Sequence, residues 1–103
     1  MADTELTVEG YLMDVGCIRK NPRDELVARA RDHTRDCALM GHCVESGYGI
    51  VTEDDRVTVL DPDATPQVVT TVEATDTERG IRLRVTREER DGQMETTAVE
   101  ELT

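Results

Sequence analysis

A chain with neither phenylalanine nor tryptophan must build its interior from aliphatic side chains. This one has 22 large ones, 7 Leu, 3 Ile and 12 Val, among 103 residues. That supply sits barely above the compositional range of disordered chains, and it can fill one small domain, residues 1–103, but not two. A core this thin calls for a cross-link, which small domains take from disulfides, a bound metal or a partner.

Three cysteines, Cys17, Cys37 and Cys43, could supply one. Their number is odd, and the start Met1-Ala2-Asp3-Thr4-Glu5 lacks the basic and apolar stretches of a secretory signal. A full disulfide framework is therefore not expected, and the chain reads as cytoplasmic. With His33 the cysteines form Cys17-x15-His33-x3-Cys37-x5-Cys43, a donor set that suits a tetrahedral Cys3His zinc. On a continuous helix His33 and Cys37 would face the same way, with Cβ atoms about 5 to 6 Å apart. A zinc ion there would tie strand, helix and loop together and turn binding free energy into folding free energy. His42 offers a substitute for His33 or a ligand at an open position. Two other readings stay open. The cysteines can be small buried hydrophobes with His33 a satisfied core histidine. Alternatively, Cys37 and Cys43 can form a reversible disulfide with Cys17 as resolving thiol, making the protein a redox protein or sensor.

The hydropathy pattern predicts a mainly β domain. Residues 6–13 alternate as a strand, with Gly10 marking a bulge or a close approach. Asn21 and Pro22 then read as N-cap and first residue of a helix whose stripe is Leu26, Ala30, His33, Cys37 and Met40, with Gly41 as its stop. This helical insert spans 18–46. Strands over 48–52 and 56–60 form a hairpin about Glu53-Asp54-Asp55. A short helix follows over 67–72, where the β-branched residues make a strand the alternative. A last hairpin turns at Asp91-Gly92, with its arginines outward. Five strands, a helical insert between the first and second and a short helix between the third and fourth match a five-stranded OB-like Greek-key barrel. An open α+β sheet is the runner-up.

Gly10, Asp14 and Cys17 after the first strand, then His33, Cys37 and Cys43, then Gly47-Tyr48 at the next strand, form a wider pattern. In it the chain resembles a family of small bacterial and archaeal OB-like domains, largely uncharacterised, with Gly-x-x-x-Asp-x-x-Cys after the first strand. The resemblance implies a barrel decorated with Cys and His and implies nothing about substrate.

The formal charge is −11, and Lys20 is the only lysine. A dense carboxylate surface holds water and cations, and its self-repulsion is screened at about 1 M salt, where the Debye length is roughly 3 Å. The composition therefore suggests a halophilic archaeal source; an ordinary acidic domain with a basic partner is the alternative. The segment 19–35 alone is basic, at +3. It is expected to pair within the molecule, or otherwise to offer an anionic partner a face. Acidity and only two aromatics, Tyr11 and Tyr48, exclude a single-strand nucleic-acid platform. No span of roughly 18 apolar residues suits a membrane, and no phosphate loop or dinucleotide fingerprint is present. Catalysis by Cys37 with His33 lacks an identifiable orienting group. The expectation is a small non-catalytic binding or accessory module for an unknown protein or small ligand, with a structural zinc held by Cys17, His33, Cys37 and Cys43. A metal-free interaction domain is a further alternative.

Overall fold

The computed structural model describes residues 5–102, apart from the side chains of His42 and Arg90. Strand β1 (Leu6–Asp14) leads into helix α1 (Val15–Lys20), a 3-10 turn (Arg23–Glu25), and helices α2 (Leu26–Asp32), α3 (Arg35–Ala38) and α4 (Gly41–Ser46). Strands β2 (Tyr48–Val51) and β3 (Val57–Val59), helix α5 (Ala64–Ala74) and strands β4 (Arg82–Arg90) and β5 (Gln93–Leu102) follow. The strands form one antiparallel sheet in the order β3-β2-β1-β4-β5.

Alternation along β1 puts Leu12 on one face and Met13 on the other, yet both are buried, because both faces are covered at this end of the strand. Leu12 packs in a cluster with Ile50, Leu83 and Val85 of the sheet and Val68 and Val72 of α5. Met13 and Val51 pack with Leu26 and Ala30 of α2. Gly10 is where β2 comes closest: a Cβ there would stand 2.4 Å from the Val51 carbonyl oxygen, so the close approach anticipated at this residue is real.

The residues 67–72 are helical, within α5, and not a strand. Both predicted hairpins form. Asp91 and Gly92 take φ of 53° and 80°, the left-handed pair of a two-residue turn. The closed barrel does not form, since β3 and β5 are the two edges of an open sheet. The chain leaves β3 after three residues, and side chains occupy the place of a closing ladder. Asp61 Oδ1 accepts from the Thr96 amide at 3.0 Å and from its hydroxyl at 2.7 Å. Gln67 donates to the Thr96 carbonyl at 3.2 Å.

The insert departs further from expectation, being several short helices where one long helix was predicted. Asn21 does not cap a helix start; it follows α1 and donates to the Cys17 carbonyl at 2.8 Å. The decisive break is at His33, whose ψ of 125° is extended. There the chain bonds sideways to the segment before β4: Gly80 donates to the His33 carbonyl at 3.1 Å, Arg35 donates to that of Glu78 at 2.8 Å, and Thr34 bridges Arg79. The Thr34 hydroxyl then accepts the Cys37 amide at 3.0 Å and starts α3, a threonine cap outcompeting helix continuation. Gly41 opens α4 instead of ending a helix.

The basic segment is largely paired within the molecule. Arg31 meets Glu53 at 2.9 Å and Arg29 meets Glu25 at 3.4 Å. Arg35 donates to the Val72 and Glu73 carbonyls at 3.1 and 3.0 Å, at the C-terminal end of α5, where cations are favoured. Among the described residues no helix is long and apolar enough to cross a membrane.

Candidate metal centre

Asp14 ends β1 and begins α1, and each of its carboxylate oxygens has a separate task. Oδ2 accepts the Cys17 amide at 3.0 Å, an N-cap bond that fixes Cys17 in the first turn of α1. Oδ1 meets His33 Nε2 at 2.9 Å, in a pair whose side chains are 2% and 7% exposed. The extended backbone at His33 and the Thr34 cap then deliver Cys37 on α3. Tyr48, buried on β2, donates from its hydroxyl to the Ala38 carbonyl and fastens the end of that helix.

One donor atom each from Asp14, Cys17, His33 and Cys37 lies within 4.8 Å of the other three. Around a tetrahedral ion with bonds of about 2.0 to 2.3 Å, donors stand about 3.3 to 3.8 Å apart. A contraction on the order of 1 Å at the widest pairs would therefore close the set, which is within reach of side-chain rotation. Two sulfurs, an imidazole and one carboxylate fit zinc far better than the all-oxygen shells of calcium or magnesium.

The electrostatics of the cluster favour a cation. Burial pushes the Asp14 carboxyl up, but bonds from the Cys17 thiol and amide and from His33 outweigh it and hold the group below its ordinary value. Asp14 is thus a buried carboxylate. Burial, then the Asp14 bond and charge, push the Cys17 thiol up to about 12. Cys43 is also pushed up to about 12, by burial first and then by Asp14 and Cys37. Without metal, Cys17 and Cys43 are therefore protonated at neutral pH beside a fixed negative charge. A divalent ion would replace a proton on Cys17 and neutralise that charge.

Of the residues singled out in the sequence, Cys17, His33 and Cys37 come together. Cys43, 1% exposed on α4, sits close enough to feel Asp14 and both other thiols, but its sulfur lies outside the four-donor group. None of the three cysteines is in a disulfide. The side chain of His42 lies outside the described residues. Asp14 was not singled out as a ligand. Its signal was the spacing Asp14-x-x-Cys17, in which an acidic N-cap accepts the amide three residues on. Compared with protein-family models, with curated proteins and with solved structures, the chain shows no match.

Proposed function

We propose that the protein is a small non-catalytic binding or accessory module whose Cys/His insert is closed by a structural metal ion, zinc by its donor chemistry. The observation that carries this is the grouping of four donor atoms from Asp14, Cys17, His33 and Cys37 within 4.8 Å. Those residues come from β1, α1, the end of α2 and α3, so one ion would tie four separate pieces of chain. The protonated Cys17 thiol, pushed up to about 12, is a weak nucleophile, which favours a structural role over thiol catalysis. The strand order, with α5 between β3 and β4, supports an OB-like ancestry, because a β3 to β5 ladder is all that a barrel would need. The charge of −11 with a single lysine supports a salt-adapted cytosol. An unidentified protein or small ligand is the partner this reading leaves.

A second coordination is favoured by the 2.9 Å contact of His33 Nε2 with Asp14 Oδ1. In it Asp14 orients the imidazole, as carboxylates beside metal-bound histidines do, and Cys43 becomes the fourth ligand in the Cys3His set anticipated from sequence. Elemental analysis of anaerobically purified protein tests the proposal: about one zinc per chain is expected, and metal-free folded protein that takes up no zinc would refute it. Asp14→Asn and Cys43→Ser separate the two coordinations. An orienting Asp14 loses about 10- to 100-fold in zinc affinity on substitution, and the substitution that costs more marks the ligand.

A further inference from the structure

The three thiols differ in access. Cys17 and Cys37 are half-buried, whereas Cys43 is sealed. The sulfurs of these two half-buried residues lie within 4.8 Å of each other, on helices of six and four residues that are too short to hold their shape independently. A cleft at the start of α3 is lined by Thr34, Arg35, Asp36, Glu78 and Arg79. We infer that Cys17 and Cys37 form an oxidation site for peroxides, at which closure of a disulfide expels the metal. This rests on the metal reading above and adds a regulation of the same site.

The chemistry balances without any group beyond the peroxide. One thiolate attacks the peroxide, its O–O bond breaks, and a sulfenic acid and a hydroxide result. The second thiolate attacks that sulfur, the S–S bond forms, the S–O bond breaks and a second hydroxide leaves. Two thiolates, one hydrogen peroxide and two protons thus give one disulfide and two waters, the sulfurs losing the two electrons that the peroxide gains. With sulfurs about 2.05 Å apart and no thiolate charge, half of the donor set is gone.

The other half explains why the ion can leave cheaply. Asp14 and His33 are partners at 2.9 Å, and Asp14 also holds the Cys17 amide at 3.0 Å. After metal loss the buried Asp14 carboxylate would therefore keep hydrogen-bond partners, which lowers the usual obstacle to emptying such a site. Cys43 takes no part in the disulfide, being closed to solvent.

The test uses zinc-loaded full-length protein with a colorimetric zinc chelator present, treated with hydrogen peroxide and mapped by mass spectrometry. Expected are release of about one zinc per chain, a mass lower by two hydrogens, a Cys17–Cys37 linkage, and reversal by a thiol reductant with zinc. Failure to load zinc at the start defeats the metal reading, and this inference with it. Loaded protein that keeps its zinc under peroxide, or that loses it with Cys43 in the disulfide, overturns the inference alone.

Discussion

On the α5 face of the sheet, eleven residues, nine of them from β1, β2, β4, α3 and α5, are buried against one another, from Leu12 to Val85, while the insert face has a buried cluster of four. At roughly 1.5 to 3 kcal/mol for each large aliphatic side chain, the first face has ample apolar burial to hold its shape. The second does not. Its order comes from side chains bonded to backbone, Asp14 to the Cys17 amide, Thr34 to the Cys37 amide and Asn21 to the Cys17 carbonyl, and from donors that share one buried carboxylate. Apolar burial tolerates the loss of any one polar partner, whereas a polar cluster is only as stable as its least satisfied member. The sheet with α5 should therefore be indifferent to metal, and the insert should depend on it.

The largest effect is expected on the apolar side. Leu83 is fully buried, and Leu83→Ala should cost about 2 to 5 kcal/mol, lowering Tm by more than about 10 °C in a domain of this size. The fall should be the same with zinc or with chelator, read by thermal denaturation. A chelator-dependent fall would break the comparison, since it would mean that the two faces unfold as one metal-linked unit.

Next comes Asp14→Ala. It removes an N-cap worth about 1 kcal/mol and leaves the buried His33 ring without its partner, about 1 to 3 kcal/mol more. Unlike Leu83→Ala, it should also abolish the stabilisation by zinc, so that chelator no longer shifts Tm. A variant that still gains stability from zinc would make Asp14 an orienting partner of His33 and not a ligand.

The two faces also differ in how far they were legible in the chain. Elements of the apolar side were readable because strand period and turn chemistry act locally: residues 6–13 and the Asp91-Gly92 turn carry their own instructions. The insert was misread where a local pattern met a distant partner. Leu26, Ala30, His33, Cys37 and Met40 are spaced for one helix, but the carbonyl of His33 and the amide of Arg35 bond to Gly80 and Glu78, more than forty residues on, and nothing at His33 announces that pairing. Thr34 was the available warning, as a capping residue three positions before Cys37. Barrel closure failed for a similar reason, because Asp61 reads as a turn residue and only the folded chain brings it to Thr96. Two sulfurs and the imidazole of the site were legible as donor types, while Cys43 was counted with them and the Asp14 carboxylate looked like part of a strand end.

The smallest expected effect is one of pH, and it isolates the insert. Cys17 and Cys43 titrate in the folded, metal-free protein at about 12 rather than at 9.0, because burial penalises their thiolates. Between those values the folded protein keeps protons that the unfolded chain has released. Stability from this source is therefore complete below 9.0 and is lost as pH rises toward about 12. Urea unfolding of metal-free protein at about pH 8 and about pH 10 should show a lower midpoint at the higher value, with an unchanged slope. Cys43→Ser should reduce that difference. Zinc should reduce it too, because the ion has already displaced the Cys17 proton, and this partial cancellation ties the pH dependence to the insert rather than to the carboxylate surface. A midpoint equally sensitive to pH with and without zinc would mean that the Cys17 thiol is not a ligand, and would leave the polar face held by its hydrogen bonds alone.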